Sequence, residues 1–139
     1  MILDLADLVD LQSDRIAIAL LEGAREKGLR EPQLEILGTD IDPVAVAEAQ
    51  RGIYPAEQIE ALSPVIVARY FDRGSGEIAN LYRIKDWIWQ RCQFRIQNLL
   101  SENYPDGAFD GILARNVFIY FKRDEVSRIA SRMREGLVP

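Results

Sequence analysis

The chain of 139 residues contains no histidine and a single cysteine, Cys92. Without histidine it builds no Ser-His-Asp triad, no Cys-His pair and no His-ligated zinc site, and no metal site is expected. One cysteine forms no internal disulfide and no CxxC motif. A lone thiol in such a chain is the usage of a reducing compartment, so a cytoplasmic protein is expected. Basic residues are in deficit, with 17 Lys and Arg against 22 Asp and Glu and a formal charge of −5. Non-specific nucleic-acid binding needs the opposite balance, and no nucleic-acid partner is expected. No apolar run approaches the ~20 residues that span a bilayer. The start, Met1-Ile2-Leu3-Asp4, has no positively charged lead-in, so neither membrane insertion nor a signal peptide is expected. Glycine is absent from the first 22 positions; the first one is Gly23.

What is there is an ordinary globular composition, 48% hydrophobic and 28% charged, enough for one small domain with a core. Ile2 to Ala6 is a short apolar run with strand character. Ser13-Asp14 start a helix whose Ile16, Ala17, Leu20, Leu21 and Ala24 recur at helical spacing, and Gly28 fits its C-terminal cap. Leu34 to Thr39 reads as a buried strand. Asp42-Pro43 is an N-cap followed by proline at the first helical position, opening a helix from Pro43 to Arg51 that Gly52 ends. Helical pieces follow at Ala56–Leu62 and, after a second cap-plus-proline pair at Ser63-Pro64, up to about Phe71. Leu81 to Ile84 and Gln93 to Ile96 are strand candidates around a stretch carrying Trp87 and Trp89. Phe109 to Ala114 is a strongly apolar strand, and a last helix spans Arg123 to Glu135 with Val126, Ile129, Ala130 and Met133 on one face. Alternation of this kind predicts an α/β fold with a mostly parallel sheet, whose ligands bind at the carboxyl ends of the strands.

Three segments carry chemistry. In Thr39-Asp40-Ile41-Asp42-Pro43 a carboxylate stands just past a buried strand. In nucleotide-binding α/β folds such an acid accepts both ribose hydroxyls, two donors meeting two acceptor oxygens. Asp40 is the ribose candidate and Asp42 the helix cap, although both residues also suit a plain turn. Asn98 follows the strand ending at Ile96; its amide suits an adenine edge, or simply a strand-terminating turn. The strand ending at Ala114 breaks into Arg115-Asn116, with Tyr120 in the apolar run beyond, which reads equally as polar punctuation of a core strand.

Taken together, the sequence resembles the CheR-type chemotaxis receptor methyltransferases, S-adenosylmethionine (SAM)-dependent protein-glutamate O-methyltransferases. Five collinear segments carry the resemblance: T-D-I-D-P from Thr39, R-G-I-Y-P from Arg51, L-S-P…R-Y-F from Leu62 to Phe71, N-L-L from Asn98, and A-R-N-V-F-I-Y-F from Ala114. It implies a Rossmann-like SAM-dependent methyltransferase fold. It also implies methyl transfer to glutamate carboxylates of a chemoreceptor cytoplasmic domain. Asp40 falls on the ribose-binding acid, Asn98 and Leu99 on the adenine contacts, Arg115 and Asn116 on the residues meeting the cofactor's methionine portion, and Tyr120 on the tyrosine near the transferring methyl. Arg115 and Tyr120 are thus the catalytic candidates. The resemblance also places a hairpin region around Leu81 to Phe94 where the family docks on its receptor; Trp87 and Trp89 there are contact candidates, with core packing as the alternative.

The chain departs from the family at the glycine loop after the first strand. Here the loop reads Ala6-Asp7-Leu8-Val9-Asp10, Gln12 lands on an expected glutamate and Ser13-Asp14 replace a Pro-Tyr pair. Side chains take space where glycine lets a backbone approach a ligand, and a left-handed conformation costs a non-glycine residue roughly 1–2 kcal/mol. Weakened or lost SAM binding is therefore expected. The segment from Met133 to Pro139 resembles the approach to a next strand. The whole chain, residues 1–139, then reads as a single, incomplete catalytic domain lacking the C-terminal strands of the sheet. Its Phe109–Ala114 strand is expected to be a bare edge prone to self-association. The alternative to an enzyme is an inactive fragment or protein-binding remnant of one.

Overall fold

The computed structural model describes residues 2–4 and 12–101, residue 104, and residues 106–114 and 117–139. Two sheets organise the chain. Four parallel strands, β1 (Ile2–Asp4), β2 (Ile36–Asp40), β6 (Cys92–Ile96) and β7 (Ile112–Ala114), lie in the order β6-β2-β1-β7. Three antiparallel strands, β3 (Ile53–Pro55), β4 (Phe71–Arg73) and β5 (Leu81–Ile84), form a smaller sheet in the order β3-β5-β4. Helices α1 (Gln12–Glu26), α2 (Pro43–Arg51), α3 (Ala56–Ile59), α4 (Pro64–Tyr70), α5 (Asp86–Trp89) and α6 (Arg123–Gly136) complete it.

Successive strand residues face opposite sides of a sheet, and β2 shows it. Ile36 joins a core with Ala17, Ile18 and Leu21 of α1, together with Tyr82, Ile84 and Ile88. Leu37 packs instead with Ile129 and Met133 of α6, beside Leu99 and Val117. The parallel sheet is thus covered by helices on both faces, the layered α/β arrangement that the alternation predicts.

The helix signals act as read. Asp42 accepts the Val44 N–H at 2.9 Å with Pro43 at the first helical position, and Gly52 closes α2 in the left-handed region at φ 62°. Ser63 caps α4, its Oγ accepting from Ile66 N–H. At α6, Glu125 accepts the Lys122 N–H at 2.7 Å.

Five expectations need correction. Ile53–Pro55 is a strand, with Pro55, which has no N–H to give, paired with Leu81 at the sheet edge, and the helix after it spans only Ala56–Ile59. Phe71, taken as a helix end, starts β4. The supposed hairpin does not exist: β5 belongs to the small sheet and β6 to the parallel one, with α5 turning the chain between them. The strand at Phe109 is shortened to Ile112–Ala114, where the Asp110 bend interrupts it. Its start is also not bare, since Phe109 bridges Leu137 in parallel, donating to Gly136 O and accepting from Val138 N–H. The expected Ile2–Ala6 strand is described over Ile2–Asp4.

Buried polar groups tie α1 to its neighbours. The Asp14 carboxylate accepts from the Tyr54 hydroxyl on β3 and from the Cys92 thiol on β6, Sγ to Oδ1 at 3.8 Å. Burial pushes the Asp14 carboxyl up, and the Tyr54 and Cys92 hydrogen bonds pull it partly back. Burial and the adjacent Asp14 drive the Cys92 thiol up to about 12, so it is protonated at neutral pH. Nearby, Glu22 accepts from Tyr70 and Arg69 of α4, which hold its carboxyl below the usual range.

The two acids act oppositely with pH. A carboxyl whose folded pKa lies above its unfolded value binds more protons when native. Asp14 therefore contributes most stability below about 3.8 and loses it as pH rises through the raised value. Glu22 contributes above about 4.5 and loses it on acidification. Asp14→Asn removes the first effect. Its melting temperature relative to the wild type is expected to rise as pH increases above about 4, then level off. Melting curves by circular dichroism across pH 4–8 check this, and a pH-independent difference would refute it.

Candidate functional site

At the carboxyl ends of β2 and β6 the chain leaves a cleft of about 380 Å³, within the size range of small-ligand sites. Asp40, the last residue of β2, lies on one wall and is 6% exposed. Its Oδ1 accepts the Asp42 N–H at 2.8 Å and its carbonyl accepts the Gln97 N–H at 2.8 Å. The first bond fixes the carboxylate plane; an ionised carboxylate has about four lone-pair sites, so acceptor capacity remains.

The opposite wall is the turn after β6. Asn98 Oδ1 accepts the Leu100 N–H at 2.9 Å, so the turn reading of Asn98 holds, and the same residue lines the cleft. Leu99 is buried against Ile129 and Met133. The third wall follows β7: Val117, Tyr120 and Phe121, on and beside a 3₁₀ turn at Phe118–Tyr120. Tyr120 is 70% exposed, so its hydroxyl faces water at the mouth and needs no buried partner.

Four of the six residues singled out by sequence, Asp40, Asn98, Leu99 and Tyr120, meet around one cleft although they come from three separate segments. Arg115 and Asn116 lie outside the described residues, as does the Ala6–Asp10 loop.

Sequence reading missed Ile41, Gln97, Leu100, Val117 and Phe121 as cleft residues. Each adjoins or lies near a residue it did select, so the signal lay in the whole segments rather than in their polar members. Gln97 is 2% exposed, with Oε1 accepting from both Arg95 Nε (3.2 Å) and Nη2 (3.0 Å). Trp87 and Trp89 are both packed and exposed. The Trp89 indole N–H donates to Gln50 O at 3.0 Å, Trp87 lies 5.6 Å from the Tyr70 ring, and each remains 39% exposed.

The donor set suits an adenosine moiety. A carboxylate stands at one end for a diol, and Leu99, Val117 and Phe121 give apolar walls for a flat base. Among the described residues no group of Cys, Asp and Glu is placed to hold a metal ion, and no described helix is long and apolar enough to cross a membrane.

The chain is similar to known proteins over most of its length. The family described as CheR methyltransferase, SAM binding domain, matches residues 15–139. The chain is 35% identical over 119 residues to chemotaxis protein methyltransferase 2 of Pseudomonas aeruginosa, covering 85% of this chain and 41% of that protein. It is 34% identical over 125 residues to the chemotaxis protein methyltransferase of Salmonella typhimurium, covering 89% and 42% respectively. The Klebsiella aerogenes chemotaxis protein methyltransferase is 35% identical over 113 residues, 81% of this chain and 39% of that protein. The chain thus spans about two fifths of the length of these curated relatives.

Proposed function

The chain belongs to the CheR methyltransferase family, its fold is the Rossmann-like fold of that family's SAM-binding domain and its cofactor is SAM; from this we propose that it forms part of a catalytic domain that methylates glutamate carboxylates of chemoreceptors. The single observation that carries the reading is the convergence of Asp40, Asn98, Leu99 and Tyr120 on one cleft.

In this reading Asp40 accepts the ribose hydroxyls, and the Asn98–Leu99 turn meets the adenine. Arg115 and Asn116 meet the methionine portion, where a guanidinium pairs with a carboxylate. The cofactor supplies an electrophilic methyl group on a sulfonium. The acceptor, a glutamate side chain, is already ionised near neutral pH, with a free pKa of about 4.3, so no general base is required. That removes any demand for histidine. What remains for the protein is alignment and exclusion of water. Tyr120, at the mouth of the cleft, orients the incoming carboxylate by donating a hydrogen bond from its hydroxyl.

Titration calorimetry with S-adenosylhomocysteine tests the reading. Saturable binding that is lost on changing the cleft supports it; no binding at any accessible concentration overturns it. By the family resemblance the glycine-free Ala6–Asp10 segment takes the place of a glycine loop, so binding weaker than low-micromolar is expected. Low-micromolar affinity overturns that penalty but leaves the site standing. The same segment favours a second reading, a chain that keeps the fold and binds a partner protein without turnover.

Tyr120→Phe separates the two. In an active enzyme the substitution lowers turnover roughly tenfold or more, the scale of one lost transition-state hydrogen bond, with cofactor affinity unchanged. Methyl transfer to a receptor fragment, followed with radiolabelled SAM, reads it. Unchanged turnover removes Tyr120 from the mechanism.

A further inference from the structure

We infer that Arg132, on α6, is a positioning residue for the base-binding side of the cleft. The inference rests on the proposed assignment of the Asn98–Leu99 turn to the adenine.

Arg132 lies one residue before Met133, whose side chain packs against Leu99. Its Nη1 amino group donates to Leu99 O at 3.2 Å and to Leu100 O. The same peptide unit that offers the Leu99 carbonyl carries the Leu100 N–H, which donates to Asn98 Oδ1 at 2.9 Å. A guanidinium, a peptide and a carboxamide are therefore linked in one chain of hydrogen bonds. Charge on the first polarises the others, because hydrogen bonds in series strengthen one another in a low-dielectric setting. One end of the chain is a permanent cation; the other is the carboxamide that lines the cleft.

This arrangement fixes which way the Asn98 carboxamide faces. Its oxygen is committed to the Leu100 N–H, so the amide cannot turn over without breaking that bond. Orientation matters for base identity. Adenine presents a ring-nitrogen acceptor beside an amine donor, whereas hypoxanthine presents a ring N–H beside a carbonyl. A carboxamide free to turn over serves both edges; one held in a single orientation prefers one of them. Arg132 thus acts on selectivity from outside the cleft, and the Arg132 contacts link residues 32 and 33 positions apart, a relation that no local motif reveals.

The experiment compares S-adenosylhomocysteine with S-inosylhomocysteine, its hypoxanthine counterpart, by calorimetry on the wild type, Arg132→Met and Arg132→Gln. Both variants remove the cation, and the melting temperature of each is recorded. The wild type is expected to prefer the adenine ligand. In the variants the affinity for S-adenosylhomocysteine falls roughly tenfold, the scale of losing charge-assisted hydrogen bonds, and the ratio between the two ligands approaches one. If Arg132→Met fails to fold, Arg132→Gln decides alone. A folded variant that keeps the wild-type ratio, even with weaker binding of both ligands, assigns Arg132 a purely structural role and overturns the inference while leaving the proposed site intact. A wild type that binds neither ligand overturns the site and this inference with it.

Discussion

Asp40→Ala is expected to lower the affinity for S-adenosylhomocysteine on the order of a hundredfold or more. In the proposed site the carboxylate accepts two ribose hydroxyls, and each hydrogen bond to a charged group is worth about 1.5–3 kcal/mol. The alanine variant also strands the Asp42 N–H that Asp40 Oδ1 accepts at 2.8 Å, so some stability goes with it. Asp40→Asn separates the two effects. It keeps a carbonyl oxygen for Asp42 while losing the charge and one acceptor, and it should retain most of the melting temperature while losing about tenfold or more in binding. Asp42→Ala supplies the contrast. It removes only the cap on Val44 N–H, at about 1 kcal/mol of stability, and should leave affinity nearly intact. Calorimetry and thermal melts on the three variants check this. If Asp42→Ala weakened binding as much as Asp40→Asn, the assignment of roles between the two acids would fail.

Gly52→Ala is expected to be strongly destabilising, because backbone conformation and packing both oppose the added atom. Gly52 sits at φ 62°, where a side chain costs roughly 1–2 kcal/mol. A Cβ there would also stand 2.7 Å from Ile84 Cγ2 and 3.0 Å from Trp89 Cδ1. Ile84 is fully buried, and overpacking of this kind costs about 1–3 kcal/mol. The sum, about 2–5 kcal/mol, is a large share of the 5–15 kcal/mol typical of a domain. Gly28 provides the control, with the same φ of 62° and nothing within 4 Å of the added atom. Gly28→Ala should therefore show the backbone strain alone. The difference between the two melting temperatures measures the clash at the junction of α2, β5 and α5; equal losses would show that Ile84 and Trp89 move aside freely.

What could be read in the sequence was local chemistry. Asp42-Pro43 to Gly52 announces a helix because Asp42 accepts a first-turn N–H, Pro43 has no N–H to leave unpaired and Gly52 donates back to Ala49 O, all within a few positions. Asp40 and Asn98 could be found because each stands where an apolar run stops. Ile53–Pro55 and Phe71–Arg73 could not be read as strands: each is three residues long, and each abuts a helix that claims the same residues by its own signals. What makes them strands is pairing with Leu81–Ile84, a relation between distant segments. The same holds for the cleft. The family resemblance singled out four residues that face it, but Val117, Phe121 and the Arg132 clamp on the Leu99 and Leu100 carbonyls depend on how α6 and the 3₁₀ turn fold back over the sheet. Tyr120 shows the limit from the other side, since an apolar neighbourhood in sequence became the exposed mouth of a cleft.

The ladder between β2 and β6 has a kinetic consequence. Its last pair joins Asp40 to Ile96, and everything between them, α2 to α5 and the whole antiparallel sheet, must be gathered in before those two residues are neighbours. Loop-closure entropy grows only slowly with length, but pairings between distant parallel strands are still slow to form compared with local contacts. The segment between folds back on itself through its own local contacts, which shortens the effective span. The expected order of assembly follows: α2 and the small sheet form early, and the two walls of the cleft come into register late, together. A chain arrested before that step would carry most of its helices and no binding site. A refolding experiment that followed helical signal and ligand binding side by side would see the second lag behind the first.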